Sequence, residues 1–131
     1  MAALAAVAAI AVAWLAVPAR TPARTADVLL IYVGAEDCAP CRAWQKGDGA
    51  DFRKSAEFSR VSYREVKSPH LRDVLNDEHW PEEIRAYRSR LKRSDGVPLW
   101  LIVSGDTVVA LLFGAAAWHS DVLPALRSYL R

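Results

Sequence analysis

The stretch "VLLIYVGAEDCAPCRAW", residues 28–44, decides how the chain is interpreted. Its first seven residues, 28–34, form a continuous apolar run that predicts a strand buried on both faces of a sheet. The two cysteines of the sequence, Cys38 and Cys41, follow in a short turn, and a helix is predicted from about Pro40 to Lys46. The stretch therefore places a Cys-x-x-Cys pair between a buried strand and the start of a helix.

The composition of the chain is that of one globular domain with an apolar leader. The 131 residues are 53% hydrophobic and 24% charged, and the formal net charge of +2 gives no reason to expect a nucleic-acid partner. Residues 1–19 are interpreted as a signal peptide or an N-terminal membrane anchor, because the apolar run has no polar helical face. The alternative is an alanine-rich helix packed on the domain. Residues 20–26 form a linker, and the folded domain covers residues 27–131.

Further elements follow from local patterns. A second short helix is expected from about Asp51, and residues 61–67 alternate as a strand. A basic helix is predicted over residues 81–93, starting at Pro81. Strands at 99–103 and 107–113 flank a hairpin turn, and a last helix is capped by Ser120 or Asp121. Four tryptophans are assigned to the core: Trp44, Trp80, Trp100 and Trp118. The order β-α-β-α-β-β-α predicts an α/β fold, with a central mixed sheet of about four strands and helices on both faces.

The position of the cysteine pair predicts thiol–disulfide exchange. Free N–H groups at a helix start stabilise a thiolate, so we expect the pKa of Cys38 to fall below that of a free cysteine. Cys41, one turn later, is placed as the buried resolving thiol. Two alternatives are a structural disulfide and a metal site, although only two cysteines are available and zinc requires four ligands. Haem attachment is excluded because Arg42 follows Cys41 where a histidine is required.

These features resemble the thioredoxin-like family. The resemblance is carried by residues 29–41, by "Gly96-Val97-Pro98" before a strand, and by the element order, and it covers roughly residues 27–131. It implies that Pro98 is cis and lies against the cysteines, and that the backbone of Val97 pairs with an extended substrate segment.

Two positions, Asp37 and Tyr32, and the length of the segment 69–93 depart from the family pattern. Asp37 stands where an aromatic residue is usual before the first cysteine, and its charge opposes a thiolate, an effect that Arg42 partly offsets. Pro40 precedes the second cysteine, as in reducing members. The family's buried acid falls at Tyr32, and tyrosine is a poor general base at neutral pH. The segment 69–93 is also longer than a plain thioredoxin requires, which suggests partner specificity.

The resulting hypothesis is an extracytoplasmic thiol–disulfide oxidoreductase, periplasmic if the source is bacterial, either secreted or tethered by its leader. We expect a monomer that reduces a protein disulfide, receives electrons from a membrane donor, and needs no cofactor or metal beyond its reversible Cys38–Cys41 disulfide. The rival hypothesis is a non-enzymatic copper- or haem-delivery module on the same fold, with the cysteines as metal ligands.

Overall fold

The computed structural model describes residues 28–131. The predicted leader (1–19), for which we expect an apolar helix, and the predicted linker (20–26) lie outside the described residues. No helix within residues 28–131 has the length and the apolar character needed to cross a bilayer.

A four-stranded mixed sheet forms the centre of the molecule. Its strands are β1 (Val28–Ala35), β2 (Ser62–Ser68), β3 (Leu99–Ser104) and β4 (Thr107–Phe113). In the order β2-β1-β3-β4, β1 runs parallel to β2 and antiparallel to β3, and β3 is antiparallel to β4. Gly105 has a φ of +60° in the hairpin turn, a conformation that glycine adopts without strain. The predicted mixed sheet and its C-terminal hairpin are confirmed.

Helices of three kinds connect the strands. Between β1 and β2 lie α1 (Ala39–Lys46), α2 (Asp48–Phe52) and a 3-10 turn, Phe58–Arg60. Between β2 and β3 lie two 3-10 turns, Leu71–Asp73 and Asp77–His79, and a 3-10 helix, Glu82–Arg90. After β4, a π-helical turn, Trp118–Val122, leads into α3 (Leu123–Tyr129).

Each face of the sheet carries its own hydrophobic core. One face is covered by α1, α2 and α3, and its buried side chains include Leu30, Tyr32, Trp44, Phe52, Trp100, Ile102, Trp118, Val122 and Leu126. The opposite face is covered by the segment between β2 and β3, and its buried side chains include Ile31, Val33, Val66, Trp80, Ile84, Leu91, Leu99, Leu101 and Val103. The even residues of β1 face one core and the odd residues the other, as alternation along a strand requires. The four tryptophans assigned to the core are all buried.

The predicted helix over 81–93 is wrong in type and in extent. Residues Glu82–Arg90 form a 3-10 helix, in which Ile84 N–H donates to the Pro81 carbonyl, and Lys92 and Arg93 lie beyond its end. A 3-10 helix rises about 2.0 Å per residue instead of about 1.5 Å, so nine residues reach about 18 Å. We attribute the stretched form to the anchors at its ends, because Trp80, Ile84 and Leu91 are all buried against the same core.

Two further boundaries differ from prediction. The helix expected from Asp51 begins at Asp48 and ends at Phe52, since Gly47 alone separates it from α1. Neither Ser120 nor Asp121 caps the last helix. Both lie inside the π-helical turn, where the Ser120 hydroxyl donates to Asp121 Oδ2 at 2.6 Å and lies 3.2 Å from the Ala116 carbonyl oxygen. The turn anchors Trp118 and Val122 in the core before α3 begins.

Candidate active site

Cys38 is the N-cap residue of α1. Its backbone is extended, with φ −99° and ψ 110°, and its Sγ accepts the backbone N–H of Cys41 at 3.2 Å. Pro40 stands in the first turn, where its missing N–H leaves no helical hydrogen bond unmade. A sulfur in this position faces an otherwise unpaired helical N–H and the positive end of the helix dipole.

Cys41 lies one turn into α1 and is joined to Cys38 by a disulfide, with the two Cα atoms 5.2 Å apart. Its exposed fraction is 1%, against 7% for Cys38, so Cys38 is the more accessible of the two sulfurs. Ala35 and Val97 pack around the pair and keep it in an apolar pocket.

The loop before β3 lies directly against the cysteines. The Val97 carbonyl oxygen is 3.8 Å from Cys38 Sγ, a contact and not a hydrogen bond, because a disulfide sulfur carries no proton. The Val97–Pro98 peptide bond is cis. The Pro98 carbonyl accepts the Gly114 N–H at 2.8 Å, which ties the loop to the end of β4. The structure thus brings together residues that are 59 positions apart in the sequence.

Similarity to solved structures identifies this architecture. A thioredoxin of Malassezia sympodialis aligns with a TM-score of 0.56 at 14% identity, covering 82% of each chain. Oxidised thioredoxin from Plasmodium falciparum aligns with a TM-score of 0.53 at 13% identity, over 82% of this chain and 86% of that one. Spinach chloroplast thioredoxin f, in its short form, aligns with a TM-score of 0.53 at 17% identity, over 79% and 77% of the two chains.

The chain has a thioredoxin fold. No protein-family model matches the sequence, and no curated protein matches it either. At these identities the likeness establishes the fold, and the chemistry has to be argued from the site.

The Asp37 side chain contacts the segment that follows β2. Its Oδ1 accepts the backbone N–H of Leu71 at 2.8 Å, and its Oδ2 lies 3.5 Å from Nδ1 of His70. The carboxylate therefore anchors the turn that follows β2. No local sequence pattern predicts this contact, because Asp37 and Leu71 are 34 positions apart. The predicted effect of its charge on Cys38 stays a prediction.

Arg42 lies at the exposed side of the cysteine turn. Its guanidinium donates to the Glu36 carbonyl oxygen at 2.6 Å, and its backbone N–H donates to the Cys38 carbonyl. These bonds close the β1–α1 turn from outside. The proposed offset of the Asp37 charge by Arg42 is not tested by these contacts.

Tyr32, the position at which the resemblance implies a buried acid, lies in the aromatic core. Its ring stacks on Trp44 with centroids 4.8 Å apart, and its hydroxyl lies where a side chain at position 34 would lie, so Gly34 is needed for the close approach. Burial raises the pKa of Tyr32 to about 12, so its hydroxyl stays protonated at neutral pH and is no general base. The half-buried carboxylate of this region is Glu65, which accepts from the Tyr63 hydroxyl at 2.8 Å and from Gln45 Nε2 at 3.3 Å.

The main feature that sequence reasoning missed is a groove beside Cys38. It is built from residues 71–75 and 91–97, together with Pro40 and Leu99. The unusual length of the segment 69–93 was the signal for it. Among residues 28–131, no group of three or more histidine, cysteine, aspartate or glutamate side chains is arranged to hold a metal ion.

Proposed function

We propose that this protein catalyses thiol–disulfide exchange on protein substrates through Cys38 and Cys41. The observation that carries the proposal is the capping geometry: the Cys41 N–H points at Cys38 Sγ at 3.2 Å, at the start of α1. The same N–H that contacts the disulfide sulfur would hydrogen-bond a Cys38 thiolate in the reduced state, and this lowers the cost of the charged nucleophile. The proposal therefore assigns attack to Cys38 and resolution to Cys41.

The reaction balances without a bound cofactor. The Cys38 thiolate attacks one sulfur of a substrate disulfide, a mixed disulfide forms, and the substrate's second sulfur leaves as a thiolate. Cys41 then loses its proton to water and attacks Cys38 Sγ, which releases the first substrate sulfur. Both released thiolates take up protons. The substrate gains two electrons and two protons, and the Cys38–Cys41 disulfide re-forms.

We further propose that the protein acts as a reductant outside the cytoplasm. The support is the apolar leader of residues 1–19 and the proline before the second cysteine, which resembles reducing members of the family. Turnover in this direction requires a dithiol donor that reduces the Cys38–Cys41 disulfide, and we assign this role to a membrane partner. Potentials within the fold run from about −270 to −120 mV, so equilibration with glutathione tests the direction. A potential above roughly −150 mV would contradict the reductant role.

Insulin reduction by the full chain tests the chemistry. With dithiothreitol as donor, the wild type should accelerate insulin precipitation, and both Cys38→Ser and Cys41→Ser should lose turnover. The two variants control each other, because Cys41→Ser alone keeps the attacking thiol and, once reduced and freed of dithiothreitol, should accumulate a mixed disulfide with insulin. Trapping through Cys38→Ser instead would reverse the assigned roles. Absence of turnover together with a stoichiometric copper or haem complex would favour the delivery module.

A further inference from the structure

The exchange mechanism does not use the groove beside Cys38. The groove encloses about 490 Å³ and opens beside Cys38 and Val97, the two residues expected to meet a substrate. Two stretches of the β2–β3 connection, residues 71–75 and 91–97, form its walls. A polypeptide that brings a sulfur to Cys38 would have its neighbouring residues next to this groove.

The groove has an apolar interior. Aliphatic side chains line both walls, and Leu71 keeps 50% of its surface exposed although it belongs to the lining. Burying exposed apolar surface is worth about 25 cal/mol per Å², so an aliphatic ligand side chain gains affinity by covering Leu71. This interior therefore favours an apolar residue near the substrate cysteine.

The rim of the groove is positively charged. Arg72, Lys92 and Arg93 line it and are exposed, whereas the lining contains one carboxylate, Asp95. The Asp95 carboxylate accepts the Lys92 backbone N–H at 2.7 Å, so it is already engaged in closing a turn. Arg72 pairs with Asp73 at 3.6 Å, but the Arg72 side chain is 80% exposed, and such pairs contribute little. The rim therefore complements a negatively charged segment.

The walls are held by hydrogen bonds to the backbone. Trp80 Nε1 donates to the Val74 carbonyl at 2.9 Å, and Arg88 donates to the Leu75 carbonyl at 2.9 Å while pairing with Asp77 at 2.8 Å. Asp37 accepts from Leu71 N–H on the other side. These bonds pair backbone groups that no regular helix or strand would pair, and they hold the walls in place without a ligand. A preformed groove reduces the entropy that binding has to offset.

We propose that this groove selects protein substrates in which the reactive cysteine is flanked by an aliphatic residue and by one or more acidic residues. The inference rests on the proposed function, since it names the substrate class for the same site. The acidic residues accelerate encounter with the cationic rim, and the aliphatic residue fills the groove beside Leu71.

Matched disulfide peptides test the selection. Each peptide carries one intramolecular disulfide and differs at two flanking positions: leucine with aspartate, leucine with lysine, and alanine with aspartate. We expect the full, reduced chain to react roughly 10-fold faster with the leucine–aspartate peptide than with the leucine–lysine peptide at low salt. The difference should shrink at 0.5 M salt, which shortens the screening length to a few ångströms. The alanine–aspartate peptide should show a several-fold higher KM.

Charge-reversal variants locate the effect. Lys92→Glu with Arg93→Glu should abolish or invert the ratio of the aspartate to the lysine peptide rates, a ratio that a general loss of activity leaves unchanged. Arg90→Glu is the matched control, because Arg90 is exposed on the same segment but does not line the groove. It should keep the wild-type ratio.

The outcomes separate the inference from the proposed function. Hydroxyethyl disulfide, a small neutral substrate, reports exchange without groove binding. If the wild type reduces it but treats the aspartate and lysine peptides alike, or if Arg90→Glu changes the ratio as much as the double variant, the groove inference is overturned. If the wild type reduces neither hydroxyethyl disulfide nor any peptide, the exchange function itself has failed.

Discussion

The two faces of the sheet are built in different ways. The face under α1 and α3 is aromatic: Trp118 lies with its ring centroid 5.0 Å from that of Trp44, 5.2 Å from Phe52 and 5.4 Å from Trp100. The opposite face is mainly aliphatic around Trp80, and its cover is a chain of 3-10 turns tied down by side-chain bonds to backbone carbonyls.

The difference assigns separate roles to the two faces. The aromatic face fixes α1, and with it the cysteines, through Trp44, so the reacting sulfurs sit on a regular element with a packed base. The irregular face forms the groove, because short turns leave space that a continuous helix would fill. The site therefore has two parts. The cysteines lie on a helix that packs firmly on the sheet, whereas the groove wall keeps its shape through a few hydrogen bonds.

Removing the central ring of the aromatic face should have the largest effect. Trp118→Ala deletes a side chain that is 1% exposed and touches three other aromatic rings. We expect a loss of about 3–5 kcal/mol in the free energy of unfolding, measured by urea denaturation of the oxidised chain. A loss below about 1 kcal/mol would mean that the aromatic cluster does not carry the stability of this face.

Alkaline pH should weaken the same face. Burial holds the pKa of Tyr32 at about 12, while the unfolded chain ionises near 10. Burial and Glu65 raise the pKa of Tyr63 as well. Below pH 10 the tyrosines stay protonated in the folded and in the unfolded state, so the free energy of unfolding does not change through them. Between pH 10 and 12 the unfolded state alone releases the tyrosine protons, so the free energy of unfolding falls, by up to about 3 kcal/mol for Tyr32.

Urea titrations between pH 8 and 11.5 measure how steeply the free energy of unfolding falls with pH. They should be done in a background carrying Cys38→Ser and Cys41→Ser, which avoids disulfide chemistry at high pH. Tyr32→Phe should make the dependence of stability on pH shallower without abolishing it, because Tyr63 still contributes. Equal slopes in the parent and in Tyr32→Phe would contradict the assigned burial effect.

The sequence predicted the regular half of the site and missed the irregular half for physical reasons. The strand, the cysteine turn and α1 are specified by neighbouring residues: a β-rich run, a cap and a proline in the first turn. The 3-10 helix is not distinguishable in this way, because Ile84, Tyr87 and Leu91 fit spacings of three and of four residues equally well. Its type is decided by the burial of Trp80 and Leu91 against strands that are distant in the sequence.

Long-range polar contacts account for the rest. The bond from Leu71 N–H to Asp37 and the bond from Arg88 to the Leu75 carbonyl join positions that no local pattern relates. The sequence therefore predicts only the effect of the Asp37 charge, and it indicates the groove only through the unusual length of the segment 69–93. Similarity of fold does not predict the groove either, because connecting segments vary among proteins that share the same sheet.

Loosening the groove wall should have a local effect. Trp80→Phe keeps a ring in the core but removes the donor to the Val74 carbonyl, at a cost of about 1–3 kcal/mol. Amide hydrogen exchange should accelerate at residues 71–91 more than in the strands, and the KM for leucine–aspartate peptides should rise. The matched control is Trp44→Phe, because Trp44 Nε1 has no hydrogen-bond partner among residues 28–131. If Trp44→Phe accelerates exchange at 71–91 equally, the two faces are not independent.

The smallest effect should separate the two roles of Asp37. Asp37→Ala removes the acceptor for Leu71 N–H, so the turn should loosen by about 0.5–1.5 kcal/mol and the peptide KM should rise. Asp37→Asn keeps an acceptor oxygen and removes the charge. If the charge opposes the Cys38 thiolate, both variants should lower the midpoint pH of Cys38 alkylation by iodoacetamide, but Asp37→Asn should leave the exchange rate of the Leu71 amide near that of the wild type. If Asp37→Asn accelerates exchange of the Leu71 amide as much as Asp37→Ala does, the anchor needs the carboxylate itself. An unchanged alkylation midpoint in both variants would show that Asp37 serves the groove wall and not the redox centre.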